Sequence, residues 1–285
     1  MWAKIKNRRK SEVWRRLKKN KIAVVSLFIL LIICLIAILA PLLAPYPYEE
    51  THTRRSLEGP SSDFLLGTDR LGRDILSRLL YGSRQSLQMG VFAVSGAAII
   101  GVFIGAYAGY YGGFVDNLVM RLLDLFQGIP MFLLTVTLAA VLGPSLRNAI
   151  IAIGIAMVPG YARLMRASLL TVREMEYIEA AKSINARNRR IIYRHIIPNS
   201  IAPIIVSYTM SMGMAVLSGA ALSFIGLGAQ PPTPEWGAMI SDARSFMRAQ
   251  PQLAIYPGIC VMITVLAFNM LGDGLRDALD PRLKT

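Results

Sequence analysis

The chain has 285 residues, 54% of them hydrophobic, with a mean hydropathy of +0.48 and a formal charge of +14. The charges cluster and leave long uncharged runs between them, which excludes an ordinary soluble domain and points to a polytopic membrane protein. Basic loops on the cytoplasmic face account for the positive charge, so nucleic acid is not an expected partner, and Cys34 and Cys260, each inside an apolar run, read as small buried hydrophobes rather than as a disulfide or metal site.

Residues 1–21 carry ten Lys/Arg and one Glu, with Trp2 and Trp14 among them, a basic cytoplasmic arm expected to lie on anionic lipid. The uncharged run 22–44 is long enough, at about 1.5 Å per residue, to cross the roughly 30 Å of hydrocarbon. It exceeds a signal-peptide core and no clean cleavage site follows, so it is read as a retained first span. Residues 45–84 hold six acidic and six basic residues and are expected outside the membrane. Within them Asp74 is expected to start a short interfacial helix, its Ile75, Leu79 and Leu80 face lying on the membrane surface.

Span two is expected at 85–110. Its Gly101, Gly105 and Gly109 share one face, either for close backbone approach or simply as the usual glycine content of membrane helices. An inner turn at 110–113 leads to span three, 118–142, where Arg121 and Asp124 pair or anchor at the inner interface. After an outer turn at 143–145 comes span four, 148–164, with Pro159 as a kink near its inner end. Span five, 201–227, is rich in small and weakly polar residues and suits a bundle interior or a water-facing pathway. Residues 228–252 read as an irregular outer loop with Trp236 at the interface. Span six, 253–271, ends or bends at Gly272 and Gly274, followed by a cytoplasmic tail, 276–285.

The most polar segment between the spans runs from Tyr161 to Ser200, with eight Lys/Arg against three Glu. It is read as a docking loop, 165–200, inside a five-helix core, 85–275. With both termini cytoplasmic, 22 of the 31 Lys/Arg fall on the inner side, as the positive-inside rule requires. The expected fold is all-α with six transmembrane helices.

Chemistry of its own is missing. No Gly-rich loop ends in Lys-Ser/Thr, so ATP hydrolysis is not expected of this chain. His52 and His195 fall on opposite sides of the membrane, and no nucleophile elbow or zinc-protease motif is present. The spans offer almost no carboxylate or histidine for proton coupling. Energy must then come from outside, and the inner loop is where a soluble motor would act.

Glu179-Ala180-Ala181, followed by Ile196-Ile197-Pro198, resembles the EAA loop of inner-membrane permeases of bacterial ABC importers. The stretches GTDRLGRDILSRLLYGSRQSL, LSFIGLGAQPPTPEWGAMISDAR and LAFNMLGDGLRDALDPR are similar to the C-type permease of dipeptide, oligopeptide and nickel importers. The resemblance covers nearly the whole chain. It implies the type I ABC importer permease fold in the bacterial plasma (inner) membrane. It also implies a B-type permease as heterodimer partner, two ABC ATPase subunits that bind ATP and Mg, and an extracytoplasmic solute-binding protein. No cofactor is then bound by this chain. Asn185 stands where the family usually has Gly, and Asn tolerates the left-handed backbone that the bend needs.

The expected ATPase-coupling residues are Glu179, Ala180, Ala181, Ile184, Asn185 and Arg187. Met175, Ile178, Ala181 and Lys182 recur at helical spacing, and the two alanines permit close approach in a partner's groove. Arg187, Arg189, Arg190 and Arg194 are candidates to meet ATPase acids or lipid phosphates, and positive-inside anchoring alone is the other reading of them. Pathway candidates are Ser207, Ser211, Met214 and Ser218, with plain helix packing as the other reading of span five. Peptide is the expected substrate and nickel or a nickel chelate the alternative. A membrane scaffold recruiting a soluble partner is the reading from another class.

Overall fold

In lipid a chain must satisfy its own backbone polar groups, and long uncharged runs do so as helix. The computed structural model describes residues 12–279. A short helix α1, residues 12–19, leads into α2 (Lys21–Leu43), where Asn20 Oδ1 accepts from Ala23 N at 3.1 Å as the N-cap. After irregular chain come α3 (Ile75–Tyr111), α4 (Gly113–Gln127), α5 (Met131–Leu142) and α6 (Leu146–Arg173). Then follow α7 (Glu176–Ser183), α8 (Asn188–Ile191), a π-helical turn (Ile192–Ile196), α9 (Ile197–Phe224), α10 (Trp236–Ala243) and α11 (Gln252–Leu279). The one β pairing found among the described residues is an isolated bridge between Thr68 and Asp74.

Five helical segments are long and apolar enough to cross a membrane, and α4 with α5 makes a sixth if the pair crosses as one unit. That pair bends by 85°, so the single helix expected at 118–142 is instead two. The break falls at Gly128-Ile129-Pro130, where proline removes a backbone donor and its ring would clash with the preceding turn. Across the bend α4 is held to α6 by ion pairs. Arg166 grips Asp116 with two bonds of 2.5 Å, and Arg163 Nη2 meets Asp124 Oδ1 at 2.5 Å. Asp124 thus finds its cation on another helix, not at Arg121. Helix α6 runs through Pro159 without a break to Arg173, well past the expected end at 164.

At 37 residues α3 is about 55 Å long. It packs on α6, α9 and α2. The glycine stripe makes the α3–α6 contact. A Cβ on Gly101 would lie 2.8 Å from Val158 O, one on Gly105 would strike the Ala162 carbonyl oxygen, and one on Gly109 would sit 3.1 Å from Leu169. Helix α11 bridges α9 and α2 in the same way: a Cβ on Gly272 would meet Met210, and one on Gly274 would meet Ala23. These two glycines therefore sit inside a continuous helix as close-packing points and do not end it.

Asp74 does cap a helix: its Oδ2 accepts from Ser77 N at 2.7 Å and from Ser77 Oγ at 2.6 Å. That helix is not a separate interfacial piece; it is the first turn of α3. Ile75 and Leu79 are buried by protein, against α10, because the loop expected to be irregular folds a helix over them. Trp236, expected at the lipid interface, is buried there, and its Nε1 donates to Leu79 O at 3.2 Å. Glu235, also fully buried, caps α10 by accepting from Ala238 N at 3.0 Å and accepts Ser86 Oγ at 2.9 Å from α3. Replacing Asp74 with Ala should cost about 1–2 kcal/mol, since it strips a buried cap. Thermal unfolding in detergent, compared with Asp74→Asn, measures that loss.

Residues 44–74 are held by charge. Arg55 binds Glu58 through two bonds of 2.5 and 2.6 Å and Asp63 at 2.7 Å, and lies 4.5 Å over the Phe64 ring. This guanidinium holds the Glu58 carboxyl below the usual carboxylate range. Arg73 ties Asp69 to Asp242 of α10 at 2.6 and 3.3 Å, which docks the segment on α10.

Candidate coupling surface and pathway

One pole of the molecule is the end of α3 at Tyr111, where α7, α8 and the π-helical turn gather. Helix α7 has two apolar positions three residues apart, Ile178 and Ala181, and both are buried in the chain's own core with Ile191, Ile192 and Ile196. The face expected to meet a partner therefore divides. Ile178 and Ala181 anchor the helix, while Glu179, Ala180 and Ser183 are exposed and Ile184 is 80% exposed. Ala181 thus serves inward packing. Such short stripes are ambiguous in sequence, because an apolar face shows no sign of which surface it will meet.

Asn185 takes φ +56, the left-handed geometry. Its N–H donates to Lys182 O at 2.8 Å and that of Ala186 to Ala181 O at 3.1 Å. This is the paired-bond C-cap that glycine usually supplies, made here with Asn. The chain then turns through exposed Arg187 into α8.

This pole is fastened to α3 by tyrosines. Tyr107 and Tyr193 share a hydroxyl contact of 3.1 Å, Tyr110 OH donates to Asn188 Oδ1 at 2.8 Å, and Arg173 Nη1 donates to Gly109 O at 3.1 Å. Nothing local in the sequence marks these tyrosines as a group. Tyr107 and Tyr110 lie 86 and 78 residues from their partners Tyr193 and Asn188, and only the return of α8 and the π-helical turn brings them together.

A cavity of about 390 Å³ opens between the α4–α5 bend, α6 and α9. Of the four pathway candidates, Ser207 and Ser211 line it, one turn apart on α9. Met214 and Ser218 do not; Met214 is 49% exposed further along the helix. Gln127, Pro130, Met157, Gly160 and Tyr161 join the wall, which carries no charged side chain. Tyr161 is 3% exposed, and its hydroxyl lies beside those of Ser207 and Ser211 without a hydrogen bond of normal geometry. At the opposite pole a space of about 20 Å³ among Asp69, Arg78 and Asp242 has room for roughly one water. Among the described residues no three His, Cys, Asp or Glu side chains gather as a metal site.

This arrangement, a bundle with a bent helix pair and a short exposed helix at one pole, defines a class of membrane permease. Solved structures with the same fold include the inward-facing MetNI methionine ABC transporter, matched with a TM-score of 0.60 at 18% identity over 72% of this chain and 98% of that one. An amino acid ABC transporter with histidines is matched at TM-score 0.53 and 16% identity, over 70% of this chain and 92% of that one. The fold is thus that of ABC importer permeases. Residues 101–285 match the family described as binding-protein-dependent transport system inner membrane component, and residues 10–60 match the N-terminal TM domain of oligopeptide transport permease C. The chain belongs to that family, as a permease of the C type. It is 52% identical to the dipeptide transport system permease protein DppC of Alkalihalophilus pseudofirmus, over 96% of this chain and 90% of that one. It is 47% identical to the glutathione transport system permease protein GsiD of Pectobacterium atrosepticum, over 96% and 91%. It is 46% identical to the protein of that name in Escherichia coli O157:H7, over 96% and 90%. It is a multi-pass inner-membrane permease subunit that couples to ATPase partners and is not itself the catalyst.

Proposed function

We infer that this permease forms half of the conduit of an ATP-driven importer of short peptides, with a second, B-type permease as the other half. Two ATPase subunits that bind ATP and Mg engage the α7 pole, and an extracytoplasmic solute-binding protein delivers substrate at the α10 pole. In this reading six spans cross the membrane, with α4 and α5 together as the third, and both termini and the α7 pole are cytoplasmic. The basic arm of 1–21, the outer loop, the five-helix core and the tail keep the roles set out above. Residues 1–11 and 280–285 of the arm and tail lie outside the described residues.

The observation that carries the reading is α7. Its base is welded into the core by Ile178, while Glu179, Ala180 and Ile184 stand outward. Such a helix passes a push from a partner to the bundle instead of yielding to it. Asn185 holds its C-terminal bend, and Arg187 lies beyond it, facing the same partner. ATP binding must favour one conformation through differential contacts, since equal affinity for both would shift nothing. Inward and outward openings then alternate around the α9 serines.

Peptide is favoured as substrate because the named relatives act on dipeptide and on glutathione, itself a short peptide. The cavity wall also has no carboxylate, imidazole or thiol to ligate a bare metal ion. A nickel chelate is the second reading, because its chelator would hide the metal. Co-reconstitution with the second permease, the ATPases and the binding protein should give ATP-dependent uptake of labelled dipeptides into liposomes. Uptake of a nickel chelate with no peptide uptake would overturn the assignment, and no uptake of either would favour the scaffold reading.

A further inference from the structure

A buried hydroxyl without a partner is costly, and a chain spared that cost would place phenylalanine there. Tyr161 is such a case. Its Cβ packs against Gly101 at the α3–α6 contact and the residue as a whole is buried, so its apolar part is fully used. Its hydroxyl is closed off from solvent at the cavity wall with no hydrogen bond of normal geometry, against Ser207 and Ser211 where α6 meets α9. These three hydroxyls are neutral and can each donate or accept. Gln127 brings an amide to the same wall, and the rest of it is apolar or small.

We propose that Tyr161, Ser207 and Ser211 form a transient binding site for the main-chain amide groups of the passing peptide. The inference rests on the importer reading above and deepens it by assigning the contact. Every peptide bond offers one donor and one acceptor whatever its side chains. A neutral hydroxyl cluster can bind that repeating pair and remain indifferent to residue identity. Without a fixed charge it also holds neither terminus of a zwitterion firmly, so the substrate is not trapped on its way through. The Tyr161 hydroxyl is unpaired in the empty fold and comes within reach of the peptide as α6 and α9 part during the cycle; its cost to the empty fold is the counterpart of its use.

The test is Tyr161→Phe in the complete reconstituted transporter. Fold and function should move apart. The thermal midpoint should hold or rise, because an unsatisfied polar atom is removed. Peptide delivered per ATP hydrolysed should fall by roughly three- to tenfold, the worth of about one hydrogen bond. ATP hydrolysis stimulated by the loaded binding protein should stay normal, since Tyr161 is remote from α7. Ser207→Ala combined with Ser211→Ala should lower delivery further and by a similar factor for dipeptides of different side-chain character. Unchanged delivery per ATP in both variants, with wild-type uptake intact, would overturn the site and leave the importer reading standing. A loss confined to one class of side chain would also overturn it, because the cluster would then be reading side chains. Absence of peptide uptake by the wild-type complex is the separate failure of the importer reading itself.

Discussion

Placing a tryptophan at Ala180 is expected to reduce transport more than tenfold while the permease still inserts and folds. Ala180 is exposed on α7, so the substitution displaces nothing in the core and should change stability within about 0.5 kcal/mol. Its neighbour in the partner-facing set, Ile184, is 80% exposed. An apolar side chain so far out is costly to leave in water and is at home in a partner's groove. Adding an indole beside it fills the space that the groove wall would occupy. The quantities to compare are uptake and ATP hydrolysis stimulated by the loaded binding protein. Both should fall, with the basal hydrolysis of the ATPases retained. If both stayed normal, α7 would not be the contact. Ile178→Ala is the contrasting lesion. It empties a fully buried site at the base of α7 and should lower the thermal midpoint, which Ala180→Trp should not.

Gly105→Leu is expected to prevent a stable bundle from forming. A Cβ at this position strikes the carbonyl oxygen of Ala162 and comes within 2.9 Å of its carbon and 3.0 Å of Met165 Cβ. The first obstacle is backbone inside a helix, so no side-chain rotation relieves it, and α3 and α6 must separate. The cost should exceed the roughly 1–3 kcal/mol of ordinary overpacking. Gly96→Leu on the same helix is the matched control, because nothing lies within 4 Å of a Cβ there. The two variants change helix propensity equally. Expression, monodispersity in detergent and thermal midpoint should be poor for Gly105→Leu and near wild type for Gly96→Leu. Equal behaviour would show that the glycine stripe is not what joins the two helices.

The spans were legible from sequence because their cause is local. An uncharged run of 23 residues must be helix in lipid, and α2 occupies Lys21–Leu43 almost as the composition demands. The Asp74 cap was legible for the same reason, since it follows from one residue type in its own backbone setting, whereas the left-handed bend at Asn185 was expected from the family resemblance and the glycine stripe stood between two readings until α6 was seen against it. Partners were another matter. Whether Ile75 and Leu79 face lipid or α10, and whether Ile178 and Ala181 face an ATPase or their own core, depends on which surface arrives, and an apolar stripe is the same in either case. The pairing of Asp124 with Arg163 and the placing of the Tyr161 hydroxyl beside Ser207 and Ser211 joined residues from separate helices. By itself the sequence determined helix, span and family. Tertiary structure decided which side of each helix is spent on the chain's own packing, because burial is a property of neighbours and not of the residue.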